Sequence, residues 1–98
     1  MQNPAFHLLL KTIGELHDKK NSDYGAKEDP LANFKMAKMM GVSPFVGCCI
    51  RISDKYARLC SFLKKGHLSV KDEKIEDTLQ DLAVYSLIAI LLRREEKL

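Results

Sequence analysis

Apolar side chains recur every three or four residues along most of the chain, which is the spacing of one face of a helix. In the first such stretch Asn3 is an N-cap and Pro4 occupies the first helical position, so the pattern predicts a helix over residues 4–20. Its apolar positions are Phe6, Leu9, Leu10, Ile13 and Leu16. No stretch alternates apolar and polar residues with a period of two, the pattern of a half-buried strand.

Glycine and proline mark where the next two helices begin and end. A short helix is predicted over residues 31–40, with Gly41 as its C-cap. Ser43 and the proline after it repeat the cap-plus-proline signal, and they begin a longer helix over about 44–65 that Gly66 ends.

The last helix begins at a motif that resembles a capping box, in which Ser69 precedes Asp72 by three residues. From there the chain runs to about residue 96 without glycine or proline. Four helical segments and the lack of a strand pattern predict an all-α fold, a four-helix bundle. Because a chain of 98 residues is long enough for one hydrophobic core, we expect a single domain over residues 1–98.

The second half of the last helix, residues 82–92, is apolar on all sides. A helix without a polar face is buried all round, and three other helices, one of them short, are too few to surround it. The sequence therefore predicts a homodimer or a dimer of dimers, with the last helices near its centre. The alternative is a monomer with one buried central helix. The apolar stretch falls short of the roughly 20 residues that span a bilayer, so no membrane partner is expected.

The first half of the same helix, residues 72–81, contains five of the 13 acidic residues of the chain. Glu73, Asp77 and Asp81 share one face at the point where the apolar half begins. Unpaired carboxylates repel one another there and are costly to bury, so a divalent cation or basic side chains must offset their charge. Oxygen ligands alone suit Mg²⁺ or Mn²⁺ rather than zinc. Interaction with the helix dipole is the alternative for acids of the first turns, but it explains Asp81 poorly.

One face of the preceding helix holds two small residues and four charged ones: Gly47, Cys48, Arg51, Asp54, Lys55 and Arg58. The small residues permit a close approach of another helix. The three cations follow one another at i, i+4 and i+7, an arrangement that suits a phosphate chain or the acids of the last helix. The alternative is a set of ion pairs within the helix, such as Asp54 with Arg58, which contributes about 0.3–0.5 kcal/mol on an exposed surface.

Composition narrows the classes of function. The net charge of +3 is mild, and the basic residues are interspersed with acids, so a nucleic-acid partner is unlikely. Three cysteines without a C-x-x-C pair, and three histidines without zinc spacing, favour reduced thiols over a disulfide scaffold or a zinc site. The N-terminus lacks the basic and small-residue signals of a secretory leader. We therefore expect a cytoplasmic protein, in the host cytoplasm if a phage encodes it.

The chain also carries an ordered series of motifs: Asp23-Tyr24-Gly25, Asn33-Phe34, Arg51-x-x-Asp54-Lys55-x-x-Arg58 and Glu76-Asp77-x-x-x-Asp81-Leu82-Ala83-x-Tyr85. This series, which covers roughly residues 15–92, resembles the nucleotide-modification-associated domain 1 family of phages and bacteria. That family is similar to the MazG-type all-α nucleoside triphosphate pyrophosphohydrolases. The resemblance implies a MazG-like helical bundle, completed by oligomerisation, that binds Mg²⁺ through acids on two neighbouring helices. It also implies hydrolysis of a nucleoside triphosphate to the monophosphate and pyrophosphate.

The resemblance implies roles for individual residues. Asp81 matches the terminal Asp of the E-x-x-D motif of the MazG enzymes. The metal, Mg²⁺ or Mn²⁺, would be held by Asp54, Asp77 and Asp81. Glu76 would be the catalytic base for the attacking water or a further ligand. The nucleotide would be bound through its phosphates by Arg51, Lys55 and Arg58, and through its base or sugar by Tyr24 and Asn33.

A second hypothesis belongs to a different class. The helix over 44–65 places one acid, Asp54, among three cations, where the enzymes carry two or more acids. This pattern favours the alternative of a non-catalytic phage accessory protein that binds or sequesters a nucleotide or a nucleotide signal. A helical partner-binding or DNA-binding module ranks lowest, because the basic residues do not cluster.

Overall fold

The structure, a computed structural model, describes residues 1–23, 29–68 and 74–96. These residues form four α-helices and one 3₁₀ helix, with no strand among them: α1 (Pro4–Asp23), α2 (Ala32–Lys35), the 3₁₀ helix Met36–Met40, α3 (Pro44–Lys65) and α4 (Ile75–Glu96). The predicted all-α fold is confirmed. Within the described ranges, no helix is long and apolar enough to cross a membrane.

The chain divides into two compact units, of which the first is Met1–Asn33. Its helix α1 starts as predicted, because the Asn3 side-chain oxygen accepts a hydrogen bond from the Phe6 N–H at 3.1 Å. The helix continues three residues past the predicted end at residue 20. In this added part the Asn21 side-chain amide donates to the Pro30 carbonyl at 3.0 Å, a contact that periodicity does not reveal.

The second unit, Phe34–Leu98, begins inside the segment predicted as one short helix. That segment is α-helical only over Ala32–Lys35 and continues as the 3₁₀ helix Met36–Met40. Gly41 ends it as predicted, with φ of 75° and its N–H directed to the Ala37 and Lys38 carbonyls. Tightening into 3₁₀ geometry is common in the last turn of a helix, where the last carbonyl groups have no N–H group four residues ahead within the helix.

Helix α3 has the predicted bounds of 44–65. The Ser43 hydroxyl accepts a hydrogen bond from the Val46 N–H at 3.1 Å, Pro44 follows the cap, and Gly66 ends the helix at φ of 80°. Helix α4 begins at Ile75, later than the predicted capping motif at Ser69 and Asp72. That motif lies outside the described residues.

Helices α3 and α4 pack against each other as an antiparallel hairpin. The Phe45 N–H at the start of α3 donates to a Glu96 carboxylate oxygen at the end of α4, at 3.0 Å. Further along the pair, the Cys48 thiol contacts the Tyr85 carbonyl, and Lys55 contacts Asp81. The buried apolar side chains of this unit are Phe34, Pro44, Cys48, Ile88, Ala89 and Leu92.

Charged groups at the end of α4 connect it to neighbouring segments. The Lys35 ammonium lies 2.8 Å from a Glu95 oxygen, and the Arg93 guanidinium lies 5.5 Å from the centre of the Phe45 ring. A carboxylate that accepts a free N–H at the start of a helix also complements the dipole of that helix. These contacts, together with the Glu96 bond, secure the end of α4 against the start of α3.

The apolar half of α4 is buried on one side only. Ile88 and Leu92 face α3 and are 4% and 1% exposed. Four other large side chains of α4 are 46–53% exposed: Leu79, Leu87, Ile90 and Leu91. The predicted burial of this helix on all sides is therefore not seen within the described residues of one chain.

Candidate functional site

Three cations of α3 are partly covered, and one of them, Lys55, contacts Asp81 of α4. Arg51, Lys55 and Arg58 are half-buried, whereas Tyr56 and Leu63 on other faces of α3 are 60% and 73% exposed. We refer to Arg51, Lys55 and Arg58, together with Asp81 of α4, as the polar seam. Apolar residues of α3 are half-buried as well, so charged and apolar side chains share the partly covered surface of this helix.

Small residues allow this packing, as the sequence predicted. A Cβ atom added to Gly47 would lie 3.0 Å from the methyl group of Ala37, so the 3₁₀ helix crosses α3 where α3 has no side chain. One residue later, Cys48 is 1% exposed. The close approach of the 3₁₀ helix explains why glycine stands in the middle of a helix, where it ordinarily costs about 1 kcal/mol relative to alanine.

An ion pair joins the two helices within the polar seam. The Lys55 Nζ atom lies 2.9 Å from Asp81 Oδ2, and the two side chains are 25% and 31% exposed. The sequence left two ways to offset the charge of Asp81, a divalent cation or a basic side chain. In the structure a basic side chain does so.

Arg51 occupies a second position in the polar seam, above an aromatic ring. Its guanidinium carbon lies 4.6 Å from the centre of the buried Phe34 ring, and Phe34 meets Tyr85 edge to face with 6.1 Å between ring centres. At this distance the cation is attracted by the π-electrons of the ring. Sequence reasoning gave Phe34 and Tyr85 no role, although both stand in the quoted motifs.

The described carboxylates do not assemble into a metal centre. Among the residues that the structure describes, no group of three or more His, Cys, Asp or Glu side chains is placed to hold a metal ion. Asp54 and Asp77 are exposed, and Asp81 is paired with Lys55. The three predicted metal ligands, Asp54, Asp77 and Asp81, are thus not brought together as one ligand set.

Three further site residues were predicted, of which the structure describes two. Glu76 is exposed and lies about 140° around α4 from Asp81, since five residues separate them. Asn33 is half-buried and belongs to the first unit. Tyr24 lies outside the described residues. Of the predicted site, the structure therefore associates Lys55 with Asp81 and places Arg51 and Arg58 on the same face of α3.

The thiol of Cys48 is the least accessible of the three free cysteines. It donates a hydrogen bond to the Tyr85 carbonyl at 3.3 Å. Burial is the main reason that the pKa of Cys48 is raised, with a smaller contribution from Cys49 that Arg51 partly opposes. A buried thiol with a raised pKa is a poor nucleophile, because the thiolate is the reactive form.

We expect Ellman's reagent to modify Cys60 first, Cys49 more slowly and Cys48 only on unfolding, because Cys60 is exposed and Cys48 is buried.

The raised pKa of the Cys48 thiol also has a consequence for stability. Above about pH 8.5 the unfolded thiol ionises before the folded one, so the free energy of unfolding should fall as the pH rises. Urea titrations between pH 7 and 10 should show a smaller decline for Cys48→Ala. Modification of Cys48 at the rate of Cys60 would contradict this assignment.

No family model matches the chain, and no curated protein or solved structure shows significant similarity to it.

Proposed function

We propose that the protein binds a nucleotide through its phosphate groups at the polar seam. The observation that carries this proposal is the half-buried ion pair between Lys55 of α3 and Asp81 of α4. The face of α3 that holds Lys55 also holds Arg51 and Arg58. Three cations on one face of α3 offer many hydrogen-bond donors, and charge-assisted bonds to phosphate are among the strongest that side chains make. Asp81 holds Lys55 in place until an anion arrives.

Arg51 supports the proposal because its contact with an aromatic ring leaves a planar group of N–H donors for a ligand. The guanidinium carbon lies over the Phe34 ring, and the N–H donors of an arginine match the geometry of two phosphate oxygens. An arginine that is already held beside a ring loses less side-chain entropy when it binds a ligand. Phe34 and Tyr85 then act as positioning residues for Arg51.

Lys55 supports the proposal through the number of its donors. An ammonium group has three N–H bonds, and the contact with Asp81 at 2.9 Å uses one of them. A phosphate oxygen beside Lys55 would accept a hydrogen bond from another of these N–H groups, and the contact between Lys55 and Asp81 would remain. Since the ammonium already offsets the Asp81 carboxylate, this mode of binding needs no divalent cation.

Hydrolysis of a nucleoside triphosphate is the second candidate. It follows from the resemblance, and Asp77 and Asp81 do lie one turn apart on α4. Mg²⁺ or Mn²⁺ bound by oxygen ligands would supply Lewis-acid activation of the phosphate and of water. The described residues do not fit such a centre as they stand. The Asp81 carboxylate is paired with Lys55, and no third described ligand lies beside Asp77 and Asp81.

The test is calorimetric titration of the four ribonucleoside and four deoxyribonucleoside triphosphates, once in EDTA and once with Mg²⁺ or Mn²⁺, with pyrophosphate release measured in parallel. We expect binding of at least one nucleotide in EDTA, without turnover. Binding and pyrophosphate release that both require the metal would replace this proposal with the hydrolase. Binding of none of them, with or without metal, would reject both.

Variants of two lysines on the same helix locate the binding site. Lys55→Gln should weaken nucleotide binding at least tenfold, because it removes a charge from the polar seam. The matched control Lys64→Gln removes an exposed charge in the last turn of α3 and should leave the affinity unchanged within about twofold. Equal affinities of the two variants would place the site elsewhere, and circular dichroism would establish that both are folded.

We further propose that the fold is a MazG-like bundle in which a second copy of the chain completes the helical packing, giving a homodimer or a dimer of dimers. The support is the exposed apolar surface of α4, since side chains such as Leu87 and Ile90 are worth about 1.5–3 kcal/mol each when fully buried. The three free thiols fit a reducing compartment, and we place the protein in the cytoplasm.

A further inference from the structure

Six exposed residues of α4 form a stripe along its outer side, nearly opposite the side that packs on α3. They are Glu76, Leu79, Ala83, Leu87, Leu91 and Arg94, which we call the outer stripe. Glu76 and Arg94 are 18 residues apart, which is about five full turns, so both ends of the stripe lie at the same angle around the helix. A stripe that runs parallel to the axis suits a second helix lying alongside it.

The outer stripe has a further property that concerns symmetry. Successive positions are separated by three, four, four, four and three residues, a series that is the same when read from either end. In a contact between two identical surfaces related by a two-fold axis, residue i meets residue j and j meets i. A palindromic stripe meets this requirement when the two helices are antiparallel and the axis passes beside residue 85.

The residues that this arrangement places opposite each other are complementary. Leu79 meets Leu91 of the partner subunit, and the small Ala83 meets the large Leu87 of the partner subunit. At both ends, Glu76 meets Arg94 of the partner subunit. In the parallel arrangement each charge would instead meet its own copy, so like charges would oppose each other at both ends.

We propose that α4 packs along its outer stripe against α4 of a second copy, antiparallel, with Glu76 of each copy paired to Arg94 of the other. The inference rests on the proposed homodimer and adds its surface, its direction and its register. The occupant is a second copy because the same helix, reversed, supplies both the apolar positions and the opposite end charges in the order that the stripe requires. Glu76 thereby acquires a role in assembly, about 27 Å along the helix from Arg94.

The experiment is a charge swap measured by sedimentation velocity over a range of protein concentrations. Glu76→Arg and Arg94→Glu should each weaken the dimer about tenfold, since each change places two like-charged pairs in the interface. The double variant restores opposite charges and should return the dissociation constant to within about threefold of the original. The control Lys64→Glu reverses an exposed charge outside the stripe and should change nothing.

A second variant separates the register from the existence of the dimer. Ala83→Glu puts a charge at the centre of the outer stripe and should weaken the dimer at least a hundredfold in either direction of packing. Dissociation by Ala83→Glu without recovery in the charge-swapped double variant would overturn the antiparallel register and leave the homodimer standing. A monomer at all concentrations would overturn both the register and the homodimer. The proposed nucleotide site is tested separately, by the calorimetric titrations.

Discussion

Replacing Leu92 with alanine is expected to lower the free energy of unfolding by about 3 kcal/mol, the largest stability effect of any single truncation that we consider. Leu92 is 1% exposed and lies on the side of α4 that packs on α3. Truncation of a buried leucine removes its transfer free energy and leaves a cavity, which together cost about 2–5 kcal/mol. Urea denaturation followed by circular dichroism measures the difference.

Leu63→Ala is the matched control for this substitution. It makes the same chemical change in a helix of the same hairpin, at a side chain that is 73% exposed. We expect it to change the free energy of unfolding by less than about 0.5 kcal/mol, as is usual for substitutions on the surface. Similar losses for the two variants would mean that Leu92 is not the centre of the α3–α4 core.

The second large effect is expected at Gly47. A leucine there would bring its Cβ to 3.0 Å from the Ala37 methyl group, which has no torsion with which to move away. Overpacking costs about 1–3 kcal/mol, and the better helix propensity of leucine returns nearly 1 kcal/mol. We therefore expect a net loss of up to about 2 kcal/mol, measured by the same urea titration.

Gly14→Leu distinguishes crowding from any general effect of replacing a helical glycine. Gly14 lies in α1, and nothing comes within 4 Å of the position that its Cβ would occupy. At this position only the better helix propensity of leucine contributes, so the free energy of unfolding should rise by about 0.5–1 kcal/mol. Opposite signs at the two glycines support the close packing of the 3₁₀ helix on α3, whereas a gain at both would contradict it.

The half-buried cations of α3 connect the proposed site with the proposed assembly. Lys55 contacts Asp81, and the Arg51 guanidinium carbon lies over the Phe34 ring. Partial burial of cations contributes little to the stability of a monomer, because the cost of desolvating them opposes their attraction to a carboxylate. The arrangement has a physical rationale if these cations bind an anionic ligand and if the exposed apolar surfaces are covered by a second copy.

Residue types show that Asp81 needs a compensating charge, but they do not show which group supplies it. Its position after a charged half-helix and before an apolar one identified a carboxylate that needs a compensating charge. Residue types and spacing did not choose between a metal and an ammonium, because both satisfy the same electrostatic requirement. That choice depends on which α3 residue lies opposite, and the antiparallel packing places Lys55 there at 2.9 Å.

Local signals were sufficient for most of the secondary structure. The caps at Asn3 and Ser43 and the left-handed glycines Gly41 and Gly66 act within one turn, so the sequence by itself determined the all-α class and the bounds of α3. The extension of α1 to Asp23 was missed, and it carries a hydrogen bond from Asn21 to Pro30, nine residues along the chain, that local signals do not encode.

Helical periodicity also determined that Arg51, Lys55 and Arg58 share one face of α3, because 100° per residue holds in any α-helix. It did not determine which neighbour that face meets. Only the tertiary structure decided that Lys55 pairs with Asp81, that Phe34 lies beside the Arg51 guanidinium and that Glu76 lies on the opposite side of α4 from the site. These features follow from long-range packing, in which the missing side chain of Gly47 and the antiparallel direction of α4 matter more than any local preference.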